Sequence, residues 1–277
     1  MNWTDDAILL SVAKVAKTAL LMDALTRDHG RCQAVITLKG AKLPTLLPGS
    51  FLRLAFSPGG AGKHGAGKLL DVSGGLFAES AESVELAVIQ AIKDMSLAFM
   101  PAHEPLPDIY QATEGLLNSL LCEDRRWPLH FVRWEFTLLT ALGHVEGAAR
   151  CSSDFRHGEA IYISPRSGRM ATRTEAGAFL DRMLPVPSFL LGARNATIVE
   201  VLQGNDLSQA LFERFLMPEA EVEQLPASRA YLIERMRMIR TIPATKADRQ
   251  PVIDEEARRV RMRSARPLMV SNKVSPH

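Results

Sequence analysis

Residues 50–95 read SFLRLAFSPGGAGKHGAGKLLDVSGGLFAESAESVELAVIQAIKDM, and the hydrophobic period changes within this stretch. Up to residue 75, short apolar segments alternate with glycine-rich turns, a pattern typical of β-strands. After residue 80, apolar residues recur at helical spacing, at Val84, Ala87, Val88, Ala91, Ile92 and Met95. The stretch therefore predicts a β domain over residues 1–79 that is followed by a helical domain.

The residues before this transition contain several short apolar segments separated by turn signals such as Lys39-Gly40 and Pro48-Gly49. The predicted strands are Ala7–Ser11, Ala19–Leu25, Cys32–Leu38, Ser50–Phe56 and Leu69–Val72. The glycine-rich residues 58–68 are predicted to form a hairpin loop between the last two strands. Short strands at this spacing favour a small barrel or sandwich.

The helical pattern continues to residue 243. One helix is predicted around Ile109–Leu120, and another starts near Trp127-Pro128 and ends at Gly143 as its C-cap. Asn205-Asp206 and Ser228 are predicted to cap two further helices, whereas residues 144–185 are less regular. The predicted fold class is α+β, with a helical domain over 80–243 and a flexible basic tail over 244–277.

Composition predicts a globular, cytoplasmic protein. Hydrophobic residues make up 47% of the 277 residues, three cysteines fit a reducing compartment, and the start of the chain is acidic where a signal peptide is basic. No apolar run approaches the roughly 20 residues that a membrane span requires.

The net charge of +2 conceals an asymmetry along the chain. Residues 1–79 carry a net charge of +3 and residues 229–277 carry +7, while the residues between them carry −8. A basic head and tail predict contact with a polyanion through part of the chain only. The alternative is that flexible tails are often basic without a binding role.

Motifs for catalysis and metal binding are weak. Gly62-x4-Gly67-Lys68 nearly matches a phosphate-binding P-loop, but Leu69 replaces the required Ser or Thr and no helix is predicted to follow. Cys32, Cys122 and Cys151 form no Cys-x2-Cys pair, and no Gly-x-Ser-x-Gly motif occurs. We therefore predict a non-catalytic protein without a metal site or a cofactor.

Basic residues of the β region are the candidate DNA contacts: Lys17, Arg27, Arg31, Lys39, Lys42 and Arg53. On one face of a small barrel they would neutralise backbone phosphates. The alternative is a solvated charge set without a ligand. Five arginines between residues 258 and 266 form a second basic group, either a nonspecific nucleic-acid arm or a solubilising end.

Several sequence blocks follow one another in a definite order: WTDDAILLS from Trp3, LTRDHGR from Leu25, LPG from Leu47, FVRWEFTLLTALG from Phe131, YISPRSGR from Tyr162 and LPVPSFL from Leu184. Their order and spacing over residues 1–240 resemble the bacterial RecO family, and most of all its alphaproteobacterial branch. RecO proteins are recombination mediators of the RecF repair pathway.

The resemblance implies an N-terminal OB-fold, a helical domain, and a cytoplasmic, nucleoid-associated protein. It also implies binding to single- and double-stranded DNA, annealing of single strands, and exchange of single-stranded DNA-binding protein for recombinase. The implied protein partners are RecR and the acidic, apolar C-terminal tail of single-stranded DNA-binding protein. Arg133 matches the family's cation for that tail, with Leu129 and Thr137 on the same helical face. The alternative for Arg133 is an ion pair with an acidic neighbour.

The sequence departs from the family pattern in its basic residues and cysteines. The basic run after the third strand is reduced to Lys39-Gly40-Ala41-Lys42, and of the four zinc-binding cysteines found in some members only Cys151 remains. These losses motivate a second hypothesis, a RecO-like adaptor with weakened DNA binding that retains partner docking. A third, a nucleotide hydrolase, rests on the near-P-loop alone.

Overall fold

Five strands form a closed barrel at the N-terminus of the computed structural model, which describes residues 1–37, 46–59, 64–74, 83–146 and 160–243. The strands are β1 (Trp3–Ala16), β2 (Ala19–Thr26), β3 (Gly30–Thr37), β4 (Phe51–Ser57) and β5 (Gly65–Ser73). Their order around the barrel is β1-β2-β3-β5-β4, with β4 pairing back to β1 and with β3 and β5 parallel. This is the strand arrangement of an OB-like barrel and confirms the predicted α+β fold.

Residues 7–10 of the first strand are buried on both faces, which explains their continuous apolar run. Ala7 and Leu9 point into the barrel, whereas Ile8 and Leu10 belong to the core that the barrel shares with the helices. Register shifts between Leu9 and Ser11 and between Lys14 and Ala16 interrupt the pairing of β1 with β2. Such irregularities increase local twist and let a long strand follow a barrel wall.

Helices follow the barrel, and the five long ones lie in the order predicted from the hydrophobic period, whereas the two short ones, Arg173–Ala176 and Met217–Glu219, were not predicted. They are α1 (Val84–Phe99), α2 (Pro107–Leu121), α3 (Trp127–Ala141), α4 (Arg173–Ala176), α5 (Ile198–Leu211), α6 (Met217–Glu219) and α7 (Ala227–Arg237). A π-helical turn, Phe212–Leu216, joins α5 to α6. Gly143 follows α3 with φ of 81°, in agreement with its predicted position at the helix end.

A small antiparallel sheet lies within the region that the sequence pattern left irregular. Its strands are β6 (Ile161–Ile163), β7 (Met170–Thr172) and β8 (Leu184–Pro185), in the order β7-β6-β8. Strands of two or three residues are too short to show an alternating pattern. The predicted boundary at 79/80, Cys151 and the tail 244–277 lie outside the described residues, so the domain limits remain a prediction.

The predicted cap at Asn205-Asp206 was wrong. The N-cap lies eight residues before Asn205, at Thr197, which forms a reciprocal capping box with Glu200, and the helix begins at Ile198. Asn205 lies inside the helix, 1% exposed, because its carboxamide oxygen accepts a hydrogen bond of 2.8 Å from Arg229. The last helix likewise begins just before the predicted cap Ser228, with Pro226 at its N-cap.

A buried ion pair connects α3 to α7. Glu135 and Arg229 have side chains that are 0% and 3% exposed, and Glu135 Oε1 lies 2.5 Å from Arg229 Nε. Burial raises the pKa of Glu135, and the positive charge of Arg229 opposes that effect. Arg229 also donates to Asn205 of α5, so three helices meet at one guanidinium.

The barrel joins the helices through the first residues of β3. The backbone amide of His103 donates to the Arg31 carbonyl over 2.8 Å, and the Arg31 Nε donates to the Met100 carbonyl over 3.2 Å. Gly30 has φ of 71°, and a Cβ at this position would lie only 1.9 Å from the Glu104 carbonyl oxygen. The α1–α2 connection therefore packs directly on the barrel backbone.

We expect Glu135→Leu to lower the free energy of unfolding by about 3–5 kcal/mol, because it leaves Arg229 buried without its carboxylate. The double variant Glu135→Leu/Arg229→Met should recover a large part of this loss, since no unpaired charge remains. Glu234→Leu, which removes an exposed carboxylate from α7, serves as the control and should cost less than about 1 kcal/mol. Urea unfolding followed by circular dichroism measures all three, and a double variant no more stable than the single one contradicts the prediction.

We expect Gly30→Ala to destabilise the protein by about 1–3 kcal/mol more than Gly143→Ala, because overpacking adds to backbone strain. Both glycines have positive φ, but a Cβ on Gly143 meets nothing within 4 Å. The Gly143 variant therefore reports the conformational cost alone, about 1–2 kcal/mol. Urea unfolding of the two variants tests the difference, and equal losses would show that the junction tolerates a side chain.

Candidate nucleic-acid interface

One carboxylate on the barrel surface holds two of the predicted DNA-binding arginines. Asp6 Oδ1 lies 2.6 Å from Arg53 Nη1, and Asp6 Oδ2 lies 3.2 Å from Arg27 Nη1. All three side chains are solvent-accessible, at 35% for Asp6 and 47% for each arginine. The structure therefore brings Arg27 and Arg53 together as a cationic pair around one shared anion, the Asp6 bridge.

Strand register produces this arrangement. Asp6 of β1 is directly opposite Arg53 of β4, and the backbone amide of Arg27 donates to the Asp6 carbonyl over 3.0 Å. Cross-strand partners on one face of a sheet lie about 5 Å apart, within reach of an aspartate and an arginine. The bridge is thus set by the barrel backbone rather than by a mobile loop.

Asp5 shapes the neighbouring turn. Its side chain is 5% exposed, and Oδ2 accepts from the Asp28 backbone amide over 2.8 Å and lies 2.9 Å from His29 Nδ1. The His29 ring stacks on Trp3 with centroids 4.2 Å apart. These contacts hold the β2–β3 turn that carries Arg27.

Arg27 also contacts the helical region. Its guanidinium carbon lies 5.2 Å from the centroid of the Tyr110 ring on α2, within the range of a cation–π contact. Burial raises the pKa of the Tyr110 hydroxyl to about 12, so this group stays protonated. Arg27 therefore has an aromatic support that does not depend on Asp6.

Arg31 lies at the contact between the barrel and the helices, and most of its side chain is covered. Its side chain is 14% exposed, and Nη1 lies 3.1 Å from Asp23 Oδ2 while Nε donates to the Met100 carbonyl. Burial raises the pKa of Asp23, against the hydrogen bond from Gln33 and the charge of Arg31. With these contacts Arg31 connects the barrel to the helices and has little surface to offer a phosphate.

Lys17 lies apart from the other candidates. It is exposed in the turn between β1 and β2, about 36 Å along the chain from Asp6 at a rise of about 3.3 Å per residue. It makes no ion pair with any residue that the structure describes. Lys39 and Lys42 lie outside the described residues.

An open cleft of about 550 Å³ lies where β1, β4 and β5 meet. Trp3 and the exposed Lys68 contribute to its lining together with Phe56, which is only 3% exposed and packs against Trp3 with centroids 4.6 Å apart, so Trp3 is the more accessible ring. Aromatic rings beside a cation are the groups with which barrels of this kind bind single strands.

Gly67 and Lys68 belong to strand β5, so the near-P-loop does not lead into a helix and lacks the geometry of a nucleotide site.

On the helical side, Arg133 of α3 donates to main-chain carbonyls rather than to an acid. Nε donates to the Phe189 carbonyl over 3.0 Å and Nη2 to the Ala193 carbonyl over 2.6 Å, whereas Nη1 has no acceptor among the described residues. Burial lowers the pKa of Arg133, and the nearby charge of Arg126 acts in the same direction. Leu129 is 1% exposed and supports the helix from the core, and the Thr137 hydroxyl donates to the Arg133 carbonyl over 2.8 Å.

Sequence reasoning missed three residues at the barrel site: Asp5, Asp6 and Tyr110 in their roles beside the cations. The one available signal in the sequence was the pair of adjacent acids, Asp5 and Asp6, at the start of an apolar strand. Their partners depend on register, which a single sequence does not reveal.

Within the described residues no three His, Cys, Asp or Glu side chains gather as metal ligands. Burial raises the pKa of the Cys32 thiol to about 12, so this thiol is neutral near pH 7. In the same part of the chain, no helix combines the length and apolar character needed to cross a bilayer.

Comparison with known proteins gives consistent results over most of the chain. The family model described as "Recombination protein O C terminal" matches residues 82–225. A protein of Rhodospirillum centenum named DNA repair protein RecO is 31% identical over 254 residues, covering 87% of this chain and 97% of its own length. Proteins of the same name from Cereibacter sphaeroides and Roseobacter denitrificans are 30% and 29% identical, each covering 84% of this chain and 98% of their own length.

The barrel, the helical region that follows it and these matches across both agree with the resemblance seen in the sequence blocks, and the chain belongs to the RecO family.

Proposed function

We propose that this protein acts in DNA repair and recombination as a mediator that binds DNA, anneals single strands and helps exchange single-stranded DNA-binding protein for recombinase. The names of its relatives support the repair role. The observation that carries the proposal is the OB-like barrel with Arg27 and Arg53 on its surface beside an aromatic cleft. Barrels of this type bind single strands by combining cations with base-stacking rings.

The proposed mechanism uses no covalent chemistry. Cations on the barrel neutralise backbone phosphates, which removes much of the repulsion between two strands held on one protein. Single- and double-stranded DNA share these phosphates, so both are ligands of the same surface. The protein then acts on the DNA of the nucleoid, and RecR is a proposed protein partner.

A second candidate function is an adaptor with weakened DNA binding that retains protein contacts. The observation that favours it is the pairing of the candidate cations with carboxylates. Arg27 and Arg53 share Asp6, and Arg31 is paired with Asp23. Cations that are already neutralised attract a polyanion less than free ones.

Labelled single-stranded DNA and the full chain distinguish the two functions by fluorescence anisotropy across a salt series. We expect wild-type binding that weakens steeply with salt, and we expect Arg27→Gln to reduce the slope of log K against log salt by about 0.7, the value for one lost phosphate contact. The control is Arg237→Gln, which removes an exposed, ion-paired arginine from α7 and should leave the slope unchanged. Absence of DNA binding by the wild type supports the adaptor, and an unchanged slope in Arg27→Gln moves the DNA site away from this turn.

For the helical region we propose that Arg133 binds the acidic C-terminal tail of single-stranded DNA-binding protein. Its free Nη1 group supports this role, because a half-buried guanidinium with a spare donor favours a carboxylate. In this proposal the buried Leu129 packs in the core and positions α3, and Thr137 lies one helical turn after Arg133 on the same face.

We expect Arg133→Gln to weaken binding of a labelled peptide with the sequence of that tail about tenfold or more, since a charge-assisted hydrogen bond is lost. Arg133→Lys should retain part of the affinity because the charge stays. Anisotropy measures the affinity, and circular dichroism verifies that both variants are folded. Equal affinity of wild type and Arg133→Gln, with folding intact, would remove Arg133 from the site.

A further inference from the structure

The Asp6 bridge has the charge and the acceptor geometry of a bound phosphodiester. A carboxylate and a phosphodiester each carry one negative charge and two acceptor oxygens, and guanidinium groups bind both through parallel N–H groups. In the bridge each carboxylate oxygen is ion-paired with a different arginine, Oδ1 with Arg53, which also donates a hydrogen bond to it, and Oδ2 with Arg27. Two cations, one from the β2–β3 turn and one from β4, thus converge on one anion.

We propose that Arg27 and Arg53 form a backbone-phosphate site which the Asp6 carboxylate occupies in the DNA-free protein, so that Asp6 sets the affinity of the barrel for DNA. This inference rests on the proposed DNA-binding function and specifies how it is regulated. A DNA phosphate enters by replacing the Asp6 carboxylate, and the released carboxylate turns toward solvent.

Exposure separates this bridge from the other ion pairs of the barrel. The Asp5 and Asp23 side chains are 5% and 4% exposed, and each accepts a further hydrogen bond that builds the fold, from the Asp28 amide and from Gln33. Asp6 is 35% exposed, and among the described side chains its carboxylate forms ion pairs only with the two arginines. Exposed ion pairs contribute little to stability, so exchange of this one leaves the barrel intact.

The backbone around the bridge remains in place when the carboxylate leaves. Asp6 is held in β1 by its pairing with β4, and the Arg27 amide remains bonded to the Asp6 carbonyl. Arg27 also keeps the Tyr110 ring beneath it, although Glu114 on the same helix adds a second negative charge nearby. The exchange therefore requires side-chain rotation alone, and the two arginines are held in position for the incoming phosphate.

The test compares Asp6→Asn with Asp28→Asn in the full chain. Both variants raise the net charge by one, and Asp28 lies exposed in the adjacent turn, where its side chain pairs with no described arginine. The asparagine at position 6 keeps the shape of the side chain and removes the charge that competes with phosphate. We expect Asp6→Asn to bind labelled single-stranded DNA about tenfold more tightly than the control at low salt.

The salt slope should also become steeper by about 0.7, and Arg53→Gln added to Asp6→Asn should abolish the gain. A second readout uses inorganic pyrophosphate in thermal unfolding. Pyrophosphate should raise the melting temperature of Asp6→Asn more than that of Asp28→Asn, because only the former has an empty site for an oxyanion.

The outcomes separate this inference from the proposed function. If the wild type binds DNA but Asp6→Asn matches Asp28→Asn in affinity and slope, Asp6 does not regulate binding and the inference fails alone. If pyrophosphate stabilises Asp6→Asn while no variant binds DNA, the anion site stands and the DNA-binding function fails. If neither DNA nor pyrophosphate distinguishes the two variants and the wild type binds no DNA, both are overturned.

Discussion

The close approach of Gly30 to Glu104 is the constraint on which the arrangement of barrel and helices depends. Because Gly30 leaves no room for a Cβ, the α1–α2 connection lies directly against the barrel backbone. It forms two hydrogen bonds with Arg31, one from the His103 amide to the Arg31 carbonyl and one from the Arg31 Nε to the Met100 carbonyl. The apolar core continues across this junction through Ile8 and Leu10 of β1. The position of Tyr110 beneath Arg27 follows from it, because α2 starts directly after the connection. A surface cation of the barrel is thereby oriented by a helix.

Electrostatics differ between the two sides of this junction. On the barrel, ion pairs range from the buried Asp23–Arg31 pair to the exposed Asp6 bridge, and burial decides which of them can exchange partners. In the helical region the Glu135–Arg229 pair is fully enclosed and fastens α3, α5 and α7 together. Arg133, two residues from Glu135 in sequence, instead bonds to carbonyls and keeps one donor group available. The same residue types thus serve folding or binding according to their solvent access.

Much of the fold was accessible from local patterns. Three of the five barrel strands, β2, β3 and β4, match their predicted ranges closely, and β1 and β5 are longer than predicted, because apolar segments and turn signals are local properties. The helix cap at Asn205 was misassigned because an asparagine before an apolar run also suits a buried position when a distant guanidinium satisfies it. The strands β6, β7 and β8 were missed because pairs of two or three residues carry no period of their own.

By itself, the sequence determined the order of the barrel strands and of the long helices, the basic character of the N-terminal region and the family resemblance. These properties depend on neighbouring residues and on the order of blocks along one chain. Only the tertiary structure decided that Asp6 neutralises Arg27 and Arg53, that Arg31 joins the barrel to the helices and that Lys17 lies far from both. Each of these depends on strand register and chain crossing, which bring residues tens of positions apart within a few ångströms, and charge patterning along the chain does not record such distances.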